Sequence, residues 1–499
     1  MTALMHPRCI TMGLFGFSAG LPLLLIFGTL SVWLREAGVE RATVTFFSWA
    51  ALGYSFKFVW APLVDRLPIP LLTERLGRRR AWLLLSQVTL AIAIALTAIG
   101  DPADALVWTA IGALLIGFTA ATQDIVIDAY RIESGPEDWQ PLMAATYIAG
   151  YRVGMITSGA GALWLASELA VDNETYSFTA WRQTYLLMAA AMLVGILTTF
   201  SIKEPLRPAN TTPARSVARP GALLLAFALS ATAFALSFSF FHSLRGVVPP
   251  LVSIANTTSP LAVFVLEIVR FIFAATCTAA VAAVSIRCEL VAREEMQQMY
   301  VAPMREFIDR FGTTAIPVLL LIGTYRIADI VMGSVANVFY LDMGYDKTQI
   351  ATYSKFWGLW ATVAGGFLGG VCAVRYGVYR VLVAGAALAA ASNLLFAWLA
   401  TLAPNVTVLA SIIVADNLSA GLAGAAFVAY LSSLTNVSFT ATQYALFTSL
   451  MTLLPKLLAG YAGTIVDLID YPAFFTCTAI LGVPVLGLSI YAARHSAKR

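Results

Sequence analysis

Charged residues are scarce in this chain and make up only 12% of its 499 residues. Soluble proteins carry about 25% charged residues, so this composition excludes an ordinary soluble globular domain. Histidine is scarcer still: His6, His242 and His495 are the three copies, and they fall in terminal segments or a predicted loop. The five cysteines stand singly, without the spacing of a disulfide framework or a zinc site. We therefore expect no metal site and no cofactor.

The sequence also lacks the motifs of nucleotide-driven and hydrolytic chemistry. It contains no glycine-rich phosphate loop, no strand-to-helix nucleophile elbow and no histidine, cysteine and carboxylate cluster with metal-ligand spacing. We therefore predict that the protein is not an enzyme and that an ion gradient drives its activity. Because the predicted membrane spans contain no histidine, carboxylates are the groups there best able to bind and release a proton. We expect neither nucleic acid nor an obligate protein partner.

Apolar residues dominate instead, at 59% of the chain, with a mean hydropathy of +0.80. Apolar runs of about 20 residues recur along its length, and each can cross a hydrocarbon core about 30 Å thick. Because lipid cannot satisfy backbone polar groups, these runs are predicted to be helices of an all-α, multi-pass membrane protein. We predict about fourteen spans, at 10–33, 43–63, 80–99, 105–132, 141–166, 182–201, 221–241, 262–285, 315–341, 348–373, 378–399, 405–430, 441–465 and 472–493.

Twelve of these spans divide into two six-helix halves, at 1–201 and 313–499. Residues 202–312 are predicted to be a linker that holds two extra spans and an amphipathic helix on the cytoplasmic surface. Arginine and lysine are concentrated in the loops on one predicted side, most densely at Arg78–Arg80 after the second span. By the positive-inside rule, this asymmetry predicts that both termini lie in the cytoplasm.

Among the charged side chains that nevertheless lie inside predicted spans, six recur in the same cation–anion–cation order in both halves. A charge at the bilayer centre costs about 2.5–3.5 kcal/mol on insertion scales, so such residues usually line a polar cavity or form pairs there. A duplicated transporter with one central site would carry such a repeated series. The residues are Lys57, Asp124 and Arg152 in the first half, and Lys355, Asp416 and Lys456 in the second.

Carboxylates within the spans are the candidates for proton coupling. Asp124 and Asp128 stand one helical turn apart on one face of the fourth span, and Arg131 follows about one turn later. Burial, a like-charged neighbour and a nearby cation each change the proton affinity of a carboxyl, so this pair can change protonation as its surroundings change. Asp416 is the third candidate. The alternative for Asp128 is a purely structural latch with Arg131 and the arginines after the second span.

Cations within the spans are the candidates for binding a negatively charged substrate. They are Lys57, Arg152, Arg326, Lys355 and Lys456. They outnumber the carboxylates near the midplane, which predicts positive charge for an anionic substrate. The alternative is mutual neutralisation in structural ion pairs, as Arg326 could form with Asp329. Aromatic and amide side chains that suit sugar rings and peptide groups complete the candidate site: Tyr54, Tyr151, Trp357, Trp360, Asn393 and Asn417.

The loop after the second span, WAPLVDRLPIPLLTERLGRRRAW, places an acid at the end of one helix and a basic cluster before the next. Asp65 can cap a helix or pair with the arginines, and so hold a cytoplasmic gate closed. The predicted gate residues are Asp65, Arg66, Arg78, Arg79, Arg80 and Arg131. A loop of this kind, between spans two and three of a protein with two six-span halves, resembles the major facilitator superfamily.

Several further segments are similar to the AmpG-type muropeptide permeases of that superfamily. They stand in the same order through both halves and include FKFVWAPLVDR from Phe56, GRRRAWLL from Gly77, TQDIVIDAYR from Thr122, GYRVGM from Gly150 and SFTATQYAL from Ser438. The resemblance implies the superfamily fold with two inserted helices, and proton-driven import of N-acetylglucosaminyl-anhydromuramyl peptides for cell-wall recycling. In some bacteria it also implies a part in β-lactamase induction. By position, it supports roles for Lys57, Asp65, Asp124, Asp128 and Arg152.

Two positions depart from this resemblance, because Asp416 stands where glutamate is expected and Lys456 where arginine is expected. A shorter acid and a point charge in place of a planar fork could change the geometry of substrate binding. Two alternatives therefore stay open. One is a carrier of the same fold for another anion, such as an acyl-CoA or an organic acid. The other is a transport-inactive membrane sensor.

Overall fold

The computed structural model describes residues 6–40, 47, 52–170, 176–205, 219–245, 260–459 and 461–496. All regular structure within these residues is helical. In the first 201 residues the helices are α1 (Pro7–Ile26), α2 (Gly28–Glu36), α3 (Leu52–Phe56), α4 (Ala61–Arg66), α5 (Leu72–Leu76), α6 (Arg78–Thr97), α7 (Leu106–Ser134), α8 (Gln140–Ile156), α9 (Ala162–Leu169), α10 (Phe178–Ala191) and α11 (Leu193–Ser201). Tighter or wider helical turns join α3 to α4 and α8 to α9, so these pairs continue along the chain as single interrupted helices.

The remaining helices follow in the same manner. They are α12 (Pro220–Arg245), α13 (Pro260–Arg287), α14 (Arg293–Met296), α15 (Ala302–Phe311), α16 (Ala315–Thr324), α17 (Ile327–Asp342), α18 (Lys347–Ile350), α19 (Gly358–Tyr376), α20 (Val378–Leu399), α21 (Val406–Leu434), α22 (Thr440–Ala459) and α23 (Ala462–Ser496). A π-helical segment at Ala351–Trp357 joins α18 to α19. Helix α23 is interrupted at Asp470, where φ is 62°.

Eleven of the described helical segments are long and apolar enough to cross a membrane. They cover the predicted spans except 43–63, 141–166 and 441–465, which fall on helices that are interrupted or only partly described. Each of these three carries an intramembrane cation, namely Lys57, Arg152 or Lys456.

The chain divides into two compact units, one made of residues 1–212 with 308–499 and the other of residues 213–307. The first unit contains both predicted six-helix halves, called below the N-terminal half (1–201) and the C-terminal half (313–499). In the second unit, α12 packs against α13, and the Arg270 guanidinium lies 3.6 Å from the centre of the Phe238 ring. The Nε atom of Arg270 donates to the Phe238 carbonyl at 2.9 Å, which satisfies part of this cation inside an apolar hairpin.

Matching glycines mark the internal repeat of the first unit. Gly77 and Gly377 immediately precede α6 and α20, the third span of each half, and have φ angles of 89° and 88°. This left-handed region strongly favours glycine, because a Cβ atom would collide with the backbone. The same turn chemistry therefore reverses the chain after the second span in both halves.

Small residues also decide how closely the helices approach. In the N-terminal half, α1 and α8 pack with Gly16 against the carbonyl of Tyr147 and Gly150 against the carbonyl of Gly13. In membranes, such contacts let backbones come close enough for extensive van der Waals packing. Since α8 carries Arg152, this contact also positions one wall of the site described below.

We predict that Gly150→Ala destabilises the protein, since the added Cβ atom would overlap the backbone of Gly13. The cost of such overpacking is about 1–3 kcal/mol and should lower the melting temperature in detergent. Gly487→Ala is the matched control, because a Cβ atom at that helical position meets no atom within 4 Å. Equal melting temperatures for the two variants would contradict the proposed contact.

Candidate functional site

A cavity of about 660 Å³ lies between the two halves of the first unit. Its charged lining is drawn from both halves: Lys57, Asp124, Asp128 and Arg152 from the N-terminal half, and Arg326, Asp329, Asp416 and Lys456 from the C-terminal half. Tyr54, Tyr151 and Asn417 also belong to the lining. The structure therefore brings most of the predicted site residues together at one place.

The carboxylates of the N-terminal half share one buried lysine. Lys57 Nζ lies 3.5 Å from Asp124 Oδ2 and 3.9 Å from Asp128 Oδ2, and the lysine is only 5% exposed. The hydroxyl of Tyr147 donates to Asp124 Oδ1 at 3.0 Å. One cation thus faces two acids on adjacent turns of α7, so the group carries one negative charge when both are ionised. Tyr147 was not predicted from the sequence.

Arg131 connects this group to the boundary between the halves. Its guanidinium is 3.5 Å from Asp128 Oδ1 on one side and donates to Gln140 Oε1 at 2.8 Å. The same Nη1 atom donates to Ser432 Oγ of the C-terminal half at 2.8 Å. The guanidinium also lies 5.3 Å from the centre of the Tyr444 ring, in the C-terminal half. A continuous series of polar contacts therefore runs from Asp124 in the cavity to the C-terminal half.

Asp65 makes the second polar connection between the halves. Its Oδ1 atom accepts from Ala441 N at 3.2 Å, and its Oδ2 atom accepts from Thr442 N at 2.8 Å and Thr442 Oγ1 at 2.7 Å. These donors lie in the first turn of α22, where backbone N–H groups lack partners within the helix and the helix dipole favours an anion. Asp65 of one half therefore caps a helix of the other.

The same carboxylate is bound to arginines of its own half. Arg79 Nη2 donates to Asp65 Oδ1 at 2.8 Å and lies 2.5 Å from Glu133 Oε1. Arg78 Nη1 donates to the Asp65 carbonyl at 2.6 Å. Burial acts to raise the pKa of Asp65, but Arg79, Arg78 and the hydrogen bonds from Arg79 and Thr442 bring the pKa below its ordinary value. We call Asp65, Arg79, Glu133 and Thr442 the latch, and the end of the bundle that carries them the latch side.

The other predicted gate residues lie around the latch but make different contacts. Arg80 donates to the carbonyls of Thr199 and Phe200, at 3.1 and 3.3 Å, and so ties α6 to α11 within one half. Arg66 is the last residue of α4 and is half-buried. Glu204, which was not predicted, accepts from the backbone N–H groups of Arg79 and Arg80 at 2.8 and 3.0 Å. It caps α6 from a position 125 residues later in the chain.

Glu133, Glu204 and Thr442 had only weak signals in the sequence. Glu133 closes the TQDIVIDAYRIE segment, and Glu204 follows the sixth span directly. Their roles depend on which helix ends meet, and no sequence spacing reports such a meeting.

The wall from the C-terminal half is held by hydroxyl and amide groups more than by ion pairs. Asp416 Oδ1 accepts from Ser392 Oγ at 2.8 Å, and Asn417 Oδ1 accepts from Thr362 Oγ1 at 2.9 Å. Lys456 Nζ donates across the boundary to Ser55 Oγ at 3.3 Å. Arg326 Nε lies 3.8 Å from Asp329 Oδ2, which is too long for a hydrogen bond.

Three predicted site residues lie outside the cavity lining. The side chains of Trp357 and Trp360 are about half exposed, at 51% and 49%, because they point away from the face of α19 whose Gly365 and Gly369 pack on α21. Asn393 is fully buried in the C-terminal half, and neither polar atom of its amide has a hydrogen-bond partner in the described structure. The side chain of Lys355 lies outside the described residues.

The described lining residues include four cations and four carboxylates, and the side chain of Lys355, a fifth predicted cation, is not among them. The charges are nevertheless unevenly paired. Arg152 is the clearest case, because its one polar contact among the described residues is with Met155 Sδ at 4.0 Å.

The sequence relatives of this chain are transporters. It is 30% identical over 484 residues to the putative transporter AmpG 4 of Rickettsia felis, which covers 97% of this chain and 96% of the relative. This chain belongs to the AmpG family. It is also 29% identical over 482 residues to the anhydromuropeptide permease of Escherichia coli K12, with 96% of this chain and 79% of the permease covered. A family model described as acetyl-coenzyme A transporter 1 matches residues 12–103.

Solved structures agree with this AmpG-family membership at the level of the fold. The proton:xylose symporter XylE of the major facilitator superfamily superposes with a TM-score of 0.60 at 13% identity, covering 97% of this chain and 95% of the symporter. FucP in its outward conformation also gives 0.60, at 12% identity, with 98% and 99% covered. The prediction of a major facilitator fold is therefore confirmed, and this AmpG-family protein is a multi-pass membrane transporter for a small molecule.

We predict that the latch of this AmpG-family protein weakens in acid. Because the folded state holds the pKa of Asp65 below its ordinary value, the carboxylate stabilises the fold above that ordinary pKa, and the contribution is lost as pH falls through the lowered one. Asp65→Asn should cost about 1.5–3 kcal/mol near neutral pH, the usual value for hydrogen bonds to a charged group. Melting curves of the two proteins should differ at pH 7 and converge at low pH. A gap that persists unchanged in acid would refute the role of the charge.

Proposed function

We propose that this AmpG-family transporter imports anhydromuropeptides, which are N-acetylglucosaminyl-anhydromuramyl peptides, from the periplasm to the cytoplasm together with protons. Cell-wall recycling would use such an importer in the bacterial inner membrane. The name of the Escherichia coli relative supports the substrate class. The distribution of arginine and lysine supports a cytoplasmic location for both termini and for the latch side.

The charge balance of the cavity is the observation that carries proton coupling. Among the lining residues that the structure describes, four cations face four carboxylates, so a substrate carboxylate meets no net positive charge from these groups when all of them are ionised. Placing an unpaired anion in a poorly hydrated site is costly. When one cavity carboxyl takes up a proton, the remaining charges include one uncompensated cation, and the anion and the proton then bind more favourably together than either does alone. Symport follows from this mutual dependence.

Asp124, with Asp128, and Asp416 are the proposed proton carriers. In the N-terminal half, protonation of Asp124 would leave Lys57 to Asp128 alone and so alter the contacts that continue through Arg131 to Ser432. In the C-terminal half, Asp416 has a hydroxyl partner, Ser392, and no ion pair with a cation among the described residues. Protonation would thus have a different effect at each site. It would rearrange a chain of salt bridges in the N-terminal half, and it would neutralise a single carboxylate in the C-terminal half.

Arg152 is the proposed principal contact for a substrate carboxylate, assisted by Lys57, Arg326 and Lys456. Arg152 lines the cavity without an acidic partner in the described structure, and its planar fork can bind a carboxylate through two parallel hydrogen bonds. Tyr54 and Tyr151 offer aromatic surfaces beside it, as a sugar ring requires. Asn417 would supply directed hydrogen bonds to peptide or acetamido groups.

The contacts of the latch support an alternating-access mechanism for these steps. Asp65 and Arg131 bind the C-terminal half at the latch side, so transport would require both sets of bonds to break as the halves rock. With the latch side in the cytoplasm, the present state is one whose cytoplasmic gate is closed. Substrate and proton would therefore enter from the periplasm.

We predict that Asp124→Asn abolishes gradient-driven uptake of labelled anhydromuropeptide into right-side-out vesicles, because asparagine cannot carry the proton. Wild-type uptake should fall to the background level when an ionophore collapses the pH gradient. Asp104→Asn, at an exposed carboxylate in the loop before α7, is the matched control and should retain full uptake. Uptake that is indifferent to the gradient, or to Asp124→Asn, would disprove coupling through this residue.

An acyl-CoA is the second candidate cargo, since the acetyl-coenzyme A transporter model matches residues 12–103. That segment includes Lys57 and the Asp65 loop but ends before Asp124, Arg152 and the whole C-terminal wall. It therefore covers a minority of the cavity lining, whereas the AmpG relatives match nearly the full chain.

A thermal-shift comparison separates the two cargoes. We predict that anhydromuropeptide raises the melting temperature of the wild-type protein and that acetyl-CoA at the same concentration does not, because a ligand that binds only the folded state stabilises it by mass action. Arg152→Gln should remove the muropeptide shift, and Arg182→Gln, at an exposed arginine in α10, should preserve it. Stabilisation by acetyl-CoA alone would favour the second candidate.

A further inference from the structure

Arg152 and Arg326 are cations of opposite halves that line the same cavity. Arg152 lies 12 residues after the start of α8 at Gln140, and Arg326 lies 11 residues after the start of α16 at Ala315. Both helices begin on the latch side, next to the loops after α7 and α15. At about 1.5 Å per residue the two residues stand about 18 and 16 Å from that side, which is nearly the same height.

Among the described residues, neither arginine has a carboxylate within hydrogen-bonding distance. Asp329 is the acid nearest to Arg326, but it lies on the same half, faces Nε and remains 3.8 Å away. The terminal nitrogens of Arg326 are not engaged by it, and the side chain is 36% exposed. Arg152 has its sulfur contact with Met155 only. Bringing the two cavity walls together at this height would therefore bring two positive charges together.

We propose that Arg152 and Arg326 form a repulsion switch, in which their like charges oppose closure of the halves away from the latch until an anionic group of the substrate binds between them. This inference rests on the proposed function for the identity of the substrate, and its chemical requirement is a carboxylate or a phosphate. Each guanidinium presents a fork that matches either anion. Once bound, the anion attracts both Arg152 and Arg326, so the two halves are held together and no longer repel each other.

The switch makes the conformational change conditional on cargo. A transporter whose halves closed freely without substrate would return protons through the membrane with no transport. With the switch, the end opposite the latch closes and the latch opens only after an anion has bound to both walls of the cavity. The bond from Lys456 to Ser55 does not replace this bridge, because it joins a cation to a neutral hydroxyl and supplies no anion to either arginine.

Spin-label distances across the end opposite the latch test the switch in the full-length protein. Labels would be placed at Glu168, near the end of α9, and at Thr401, just after α20, both of which are exposed. The native cysteines would be replaced. Without ligand, Arg152→Gln and Arg326→Gln should each raise the ratio of short to long distances about fivefold or more, within the range of ordinary allosteric couplings. The double variant should show the same ratio of short to long distances as either single variant, since removing one charge already removes the repulsion.

Control variants separate repulsion from loss of folding. Arg152→Lys keeps the charge and should keep the wild-type distances, and Arg182→Gln removes a charge outside the cavity and should do the same. Arg326→Glu places opposite charges across the cavity and should favour the short distance most strongly. Unchanged distances in both glutamine variants, or an additive double variant, would overturn the switch.

The ligand arms distinguish this inference from the proposed function. Anhydromuropeptide should shorten the distance in the wild-type protein and leave the already closed Arg152→Gln variant unchanged. If acetyl-CoA closes the wild-type protein and anhydromuropeptide does not, the switch stands and the proposed cargo fails. If anhydromuropeptide is transported but the glutamine variants stay open without ligand, the cargo stands and the switch fails.

Discussion

The carboxylate of Asp65 is bonded on both sides of the boundary between the two halves. On one side it accepts from Arg79, which is itself held by Glu133, and on the other it caps the first turn of α22 through Ala441 and Thr442. A buried charge of this kind is tolerated only because every lone pair that it presents finds a donor. This contact joins the two halves at the latch side, and the proposed alternating-access cycle depends on its breaking and re-forming.

In the cavity, some charged side chains form ion pairs and others do not. Lys57 is buried between Asp124 and Asp128, and this group continues through Arg131 into the C-terminal half. Arg152, by contrast, has no acid in the described structure. Paired charges suit a role in sensing protons and transmitting the change, because protonation of one member rearranges the others. An unpaired cation suits a role in binding an anion, because no partner has to be displaced first.

Much of this arrangement was predictable from the sequence, for reasons that concern single helices. The spans follow from apolar runs, and the shared face of Asp124 and Asp128 follows from a spacing of four residues on α7. The proximity of Asp65 to the arginines follows from a short loop. The contacts of Glu204 with α6 and of Thr442 with Asp65 join residues more than 120 positions apart, and no periodicity encodes them. Trp357 and Trp360 are about half exposed outside the cavity lining, whereas Gly365 and Gly369 of α19 pack on α21, and the sequence motifs did not distinguish these two positions.

Composition and order along the chain by themselves indicated a duplicated membrane transporter whose spans carry costly charges in a repeated order. Those conclusions need only local physics: the length of an apolar helix, the cost of a charge in lipid and the spacing of side chains on one face. The resemblance to the AmpG-type permeases rests instead on matching segments such as TQDIVIDAYR. The tertiary structure alone decided which of the charges are compensated. Compensation depends on distances of a few ångströms between different helices, and the Coulomb energy of a pair changes steeply over that range. In the tertiary structure, Arg152 therefore has no acidic partner among the described residues, and Lys57 has two acidic partners. The carboxylate of Asp65 lies at the boundary between the two halves.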